Sequence, residues 1–189
     1  MTNDRYALTQ RLLHWIIAFL VLGALTGGWI IEEFSRKDFP KGVYSQIYDL
    51  HKAVGFIILM LMLCRIIARL VHGKPAPHPG LVSWQRTASS VVHTAFYILL
   101  VVQPILGIVG VWSFPAPIPV LDSLIDNPLT KDRDLSKMVL NLHANVGKAL
   151  IALAILHIAA AFMHIFKRDG VFSRIGLGVG TRNRGGGEG

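Results

Sequence analysis

The sequence predicts an all-α fold, a four-helix transmembrane bundle with both termini cytoplasmic, and three observations predict it. Apolar residues make up 52% of the 189 and are gathered into four blocks: Leu12 to Ile31, Ala53 to Val71, Ser90 to Trp112 and Met138 to Phe166. At about 1.5 Å per residue each block is long enough to cross a hydrocarbon layer about 30 Å thick. No Asp or Glu falls inside any block, although 16% of the chain is charged. The third observation is the placing of the charge. Four crossings return both ends to one face, and the flanks of that face carry eleven Lys and Arg against Asp4, Asp169 and Glu188. The flanks of the opposite face carry eight basic and eight acidic residues, so the whole net charge of +8 belongs to the terminal face. Positively charged flanks stay in the cytoplasm.

The first helix, about 12–31, follows Arg5 and Arg11. It is longer than a secretory signal core and ends in Trp29-Ile30-Ile31-Glu32 with no small-residue cleavage pattern, so it reads as a retained span. His14 and Trp15 stand at its inner edge, and Gly23, Gly27 and Gly28 form a small-residue stripe that suits close helix packing or a flat cofactor. The loop from Glu32 to Tyr48 is mixed in charge, with a turn at Pro40 and Gly42. The second helix, about 53–71, opens at His51-Lys52-Ala53-Val54-Gly55 and closes on Arg65 and Arg69. These arginines either snorkel to the interface or meet anionic groups of a cofactor. Pro75, Pro77, Pro79 and Gly80 make the next connection a structureless loop holding His72 and His78.

The third helix, about 90–112, carries His93 near its inner end and Pro104, which is expected to kink it. An outer loop of about twenty residues follows, rich in proline at Pro115, Pro117 and Pro119, and packs back on the membrane face. The fourth helix, about 138–166, holds His143, His157 and His164. Residues 1–175 form one integral-membrane domain, and the Gly- and Arg-rich stretch 176–189 is expected to be disordered. The basic balance reads as topology and contact with anionic lipid; the chain offers no nucleic-acid-binding module. Its one cysteine, Cys64, excludes a disulfide framework, a thiolate cluster and covalent haem attachment.

The histidines sort by depth. His143 and His157 are fourteen residues apart, which on a helix is about 21 Å along the axis and nearly one face. His14 and His157 belong to the inner half of the bundle, His51 and His143 to the outer half. An internal echo links the outer two: His51-Lys-Ala-Val-Gly55 matches His143-Ala-Asn-Val-Gly147, with glycine one turn below each imidazole, where a flat ring has room. Two bis-histidine b-type haems, held non-covalently and stacked across the bilayer, account for two imidazole pairs without carboxylates. A histidine-lined metal or proton transporter is the competing reading, but such a path mixes carboxylates with imidazole.

Taken together, these motifs resemble the bacterial cytochrome b561 family, di-haem four-helix membrane cytochromes, and within it the superoxide oxidase type. The resemblance runs from Tyr6 to Ile175. It is carried by Arg11-Leu12-Leu13-His14-Trp15, by His51-x-x-x-Gly55 with Arg65-x-x-x-Arg69, by His93 eleven residues before Pro104-x-x-Gly107, and by His143-x13-His157-x6-His164. It implies that His14, His51, His143 and His157 are the axial ligands. It also implies a bacterial inner-membrane protein that oxidises superoxide at the outer haem and reduces ubiquinone near the inner one, with His93 and His164 matching residues near the quinone. Lys52 and Lys148 adjoin the outer ligands and offer local steering of superoxide, since the outer flanks as a whole are neutral. A reading from another class stays open: a membrane-anchor subunit that passes electrons between the quinone pool and a periplasmic redox protein.

Overall fold

The computed structural model describes residues 5–114, 118–120, 123–125 and 128–177. Four helices dominate it: α1 (Leu8–Glu33), α2 (Val43–His72), α3 (Ser83–Ser113) and α4 (Arg133–Lys167). Each is long and apolar enough to cross a membrane. The architecture is the four-helix, all-α one that the apolar blocks predict. The expected tail lies, from 178 onward, outside the described residues, as do Pro115, Pro117, Asp122 and Asp126.

Every helix begins before its apolar block, α2 by ten residues and α3 by seven. The loop expected from 72 to 89 is correspondingly short, because Ser83 already starts α3. The reason lies in the caps. α4 starts where Asp132 Oδ1 accepts from the backbone N–H groups of Asp134 (3.1 Å) and Leu135 (2.9 Å), satisfying donors that the first turn leaves orphaned. α2 starts after Gly42, whose φ of 92° suits glycine. At 35 residues α4 is about 52 Å long, so its polar first turns stand clear of the hydrocarbon. Apolar content marks the span; capping marks the helix.

Successive helices pack side by side, α1 on α2, α2 on α3 and α3 on α4, while the α1–α4 seam is the thinnest. A small core of Ile17, Val21, Ile58 and Met62 ties α1 to α2 at mid-bundle, with Tyr97, Leu100 and Val101 of α3 against it. Large side chains elsewhere face outward, as they do in lipid: Phe19 and Leu70 are each 78% exposed. The loop after α3 contains an antiparallel hairpin of β1 (Ile118–Val120) and β2 (Ser123–Ile125), pairing Ile118 with Ile125. β1 lies against α2, so this described part of the loop packs back on the bundle.

On the terminal face, the chain beyond α4 folds back over the start of α1. Arg5 Nη2 donates to Gly176 O at 2.7 Å, Arg11 bonds the same carbonyl, and Trp15 Nε1 donates to Ile175 O at 3.1 Å. His164 Nδ1 donates to Asp169 Oδ2 at 2.6 Å, and that hydrogen bond holds the Asp169 carboxyl below the usual carboxylate range.

Candidate functional site

The pair farther from the termini meets with its two rings nearly perpendicular. α2 and α4 bring the rings of His51 and His143 to 6.0 Å between centroids. Each ring is held from behind. His51 Nδ1 lies 3.0 Å from Ala24 O of α1, and His143 Nδ1 lies 2.9 Å from Gln103 O of α3. A carbonyl only accepts, so both Nδ1 atoms carry the proton and both Nε2 atoms keep a lone pair for a metal. Backbone carbonyls in this role fix tautomer and ring direction.

Glycines admit those rings. A Cβ at Gly28 would lie 3.1 Å from His51 Cε1, and one at Gly107 would lie 3.0 Å from His143 Cε1. The small-residue stripe of α1 thus seats an imidazole. Gly55 has open space where a Cβ would be, and it lines a cavity of about 320 Å³ together with His51, His143, Gly107 and Gly147. Gly107→Ala is therefore expected to push His143 off its carbonyl, at a cost of about 1–3 kcal/mol, and to lower the haem-to-protein ratio of the purified chain.

Gln103, which no sequence motif marks, joins the distal site. Its side chain also donates, Nε2 to His143 O at 2.9 Å, in the gap left by Gly147, where a Cβ would lie 3.2 Å from that nitrogen. Its Oε1 is buried without a hydrogen-bond partner. Gln103→Leu removes one bond worth about 1 kcal/mol and one buried acceptor that has nothing to accept, so the two effects offset. The expected result is a melting temperature within a few degrees of the parent and an unchanged haem content, because the main-chain bond to His143 survives.

At the terminal end three imidazoles meet. His157 of α4 has its ring 6.3 Å from that of His14 of α1 and 5.5 Å from that of His93 of α3, with Phe96 at 5.2 Å. His93 Nδ1 donates to Ser89 O of its own helix at 2.6 Å. Arg65 turns into the bundle instead of outward: its Nη1 donates to Gln10 O at 2.9 Å, and its Nη2 lies 3.3 Å from His14 Nδ1. A guanidinium only donates, so in this geometry His14 Nδ1 accepts and Nε2 keeps the proton; holding a metal through a ring nitrogen would require the Arg65 contact to break. Arg69 stands one turn away, half-buried. His164 faces Asp169, and His78 lies beside the same turn, 3.5 Å from where a Cβ of Gly170 would be.

The two lysines near the distal pair are not free. Lys52 pairs with Asp49 at 2.8 Å and Lys148 of α4 with Glu32 of α1 at 2.6 Å. The second pair closes the far end of the α1–α4 seam.

The donor set suits haem. Two imidazoles on opposite sides of one metal, each about 2 Å from it through nitrogen, have ring centres about 6 Å apart, the spacing of both the His51–His143 and the His14–His157 rings. Among the described residues no group of three or more His, Cys, Asp and Glu gathers to hold a bare metal ion.

The comparisons agree with this chemistry. The family model described as prokaryotic cytochrome b561 matches residues 5–178. Cytochrome b561 homolog 1 of Escherichia coli (strain K12) is 29% identical over 188 residues, covering 91% of this chain and 97% of its own. Homolog 2 of the same strain is 27% identical over 170 residues, covering 87% of each. A Yersinia pestis protein named probable superoxide oxidase CybB is 24% identical over 166 residues, covering 86% of this chain and 89% of its own. With four apolar helices, imidazole pairs at two depths and a family match over nearly its whole length, the chain belongs to the prokaryotic cytochrome b561 family, membrane electron-transfer proteins for which membership implies haem b.

Proposed function

We propose that the protein moves single electrons across the bacterial inner membrane, from superoxide at the periplasmic face to ubiquinone at the cytoplasmic face, with both termini cytoplasmic. One observation carries this reading: imidazole pairs near 6 Å at two levels of one bundle, about 21 Å apart along α4. Haem b, when bound, supplies the one-electron chemistry. The protein's own residues do the rest. His51 and His143 hold the outer group and His14 and His157 the inner one. Ala24 O and Gln103 O fix the outer rings, and the apolar helices keep water from the space between the two levels. Two superoxide anions, one ubiquinone and two protons give two dioxygen molecules and one quinol. His93 and His164 are assigned to the quinone end, where the Asp169 carboxylate beside His164 opens to the cytoplasm. Arg65, and Arg69 one turn from it, supply positive charge there for haem propionates or for the lipid interface. The resemblance to a relative named probable superoxide oxidase supports superoxide as donor.

The test uses the purified protein alone. Superoxide generated in solution is expected to reduce its haem and then added ubiquinone, with dioxygen released. A protein whose haem stays oxidised under superoxide but is reduced through quinol would instead be the anchor subunit of a larger oxidoreductase. The neutralised Lys52 and Lys148 favour that second reading. A preparation with no haem absorbance would return the transporter reading.

A further inference from the structure

The two imidazole pairs are not held alike. Each outer ring donates to a main-chain carbonyl of a neighbouring helix, His51 to Ala24 O and His143 to Gln103 O. Among the described residues no main-chain carbonyl accepts from His14 or His157, whose rings face each other at 6.3 Å across the thin α1–α4 seam. The spacing of the inner pair therefore depends on where the two backbones stand. A cofactor site needs its ligands held to within about 0.5 Å, so something must fix α1 against α4 at this end.

The chain beyond α4 does so. Arg168, at a φ of 52°, and Gly170, at 84°, turn it back on itself. Asp169 fixes the turn, accepting from Val171 N–H at 3.2 Å through Oδ1 and from His164 through Oδ2. After a single 3-10 turn, Phe172–Arg174, four successive carbonyls face the start of α1 and the residues just before it. Ser173 O accepts from Arg5 Nε at 3.0 Å, Arg174 O from Tyr6 N–H at 3.2 Å, Ile175 O from Trp15 Nε1, and Gly176 O from the guanidinium groups of both Arg5 and Arg11. The end of a helical turn leaves such carbonyls without partners, and bonds from a cationic donor are the stronger kind. Phe172 closes against Trp15 with ring centres 6.2 Å apart, and Arg174 Nη2 donates to Ala76 O at 2.6 Å, which ties the same segment to the loop between α2 and α3. Arg11 and Trp15 flank His14 on α1.

We infer that residues 172–176, gripped by Arg5, Arg11 and Trp15, are a clasp that sets α1 against α4 at their inner ends and so positions His14 opposite His157 for the inner haem. The inference rests on the proposed function in taking those two histidines as the ligands of that haem. At the other end of the seam the same helices are joined by the exposed ion pair of Lys148 with Glu32, and exposed pairs hold weakly. None of the clasp residues is a ligand; Arg5 and Arg11 are positioning residues that act through the backbone on either side of His14. Their loss therefore falls on how firmly the inner haem is held, and the outer haem, whose ligand rings are carried by Ala24 O and Gln103 O, keeps its hold.

Four full-length proteins in nanodiscs test this: the parent, R5A/R11A, R5K/R11K, which keeps a cationic donor at each place, and E32Q, which loosens the seam at its other end. Where the double alanine variant does not accumulate, R5A alone removes the bonds to Ser173 and Gly176 and is expected to act in the same direction. Excess apomyoglobin collects haem as it dissociates, and low-temperature electron paramagnetic resonance separates the two low-spin ferric signals, the inner one being that retained by His143→Ala. The inner haem is expected to leave R5A/R11A about tenfold faster than the parent or more, with a broadened low-spin signal. The outer haem keeps its rate and signal, R5K/R11K restores the inner one, and E32Q holds it as the parent does. Unchanged release, equal release of both haems, or an equal effect of E32Q on the inner haem would overturn the inference while leaving the haem reading intact. If the parent holds no haem, the haem reading fails. Spin labels at Leu8 and Lys167, placed by L8C and K167C with C64S, then decide the clasp. A distance distribution broadened in R5A/R11A and restored in R5K/R11K upholds a clasp between α1 and α4, and an unchanged one removes it.

Discussion

Replacing His143 with alanine is expected to leave the purified protein with one haem per chain where the parent has two. No replacement ligand is at hand. On the outer half of the bundle the only imidazoles are His51 and His143, since the other six lie toward the terminal face. His51 is held by Ala24 O with its free nitrogen toward the gap, so it remains as a single ligand, and loss of one of two axial bonds leaves the outer haem weakly held or high-spin. The inner pair stands about 21 Å away along α4 and keeps its haem. A pyridine haemochrome assay and a reduced-minus-oxidised spectrum read the result. Two haems with unchanged spectra would mean that His143 is no ligand, and the pairing by depth would fail with it.

The second large effect separates His14 from His93. Both rings stand against His157: His14 at 6.3 Å, near the spacing of two imidazoles across one metal, and His93 at 5.5 Å, shorter than the 6.0 Å of the distal pair. His14→Leu is therefore expected to lose the inner haem and with it electron delivery to ubiquinone. His93→Leu is expected to retain two haems and full reduction of both by donor, while reoxidation by ubiquinone slows. Haem counts on the two variants settle the assignment, and a reversed outcome would make His93 the ligand and free His14 for the quinone end.

What the sequence made legible follows from how little each inference needed. Four spans require only apolar length, and two levels of imidazole require only the rise of a helix, so His51 with His143 and His14 with His157 could be matched before any rotation was known. The helix starts at Val43 and Ser83 escaped because polar first turns outside the lipid resemble loops, and capping by Gly42 is a backbone conformation. Azimuth was the larger gap. That Lys148 reaches Glu32, that Gln103 bonds His143 forty residues away and that His93 abuts His157 all depend on how far each helix is turned about its axis, and no local pattern fixes that angle to within a side chain. Arg65 illustrates the same limit: its spacing suited the interface, yet the tertiary neighbours Gln10 and His14 draw it inward.

One feature of the bundle bears on how it is made. α4 contributes an imidazole at both levels, His143 at one and His157 at the other, and it is the last of the four described long helices to leave the ribosome. A nascent chain ending between residues 51 and 143 therefore possesses one histidine of each proposed pair and no whole pair. Cofactor capture at both levels is therefore expected to wait for α4, and a chain truncated after α3 is expected to be an inserted but colourless three-helix fragment.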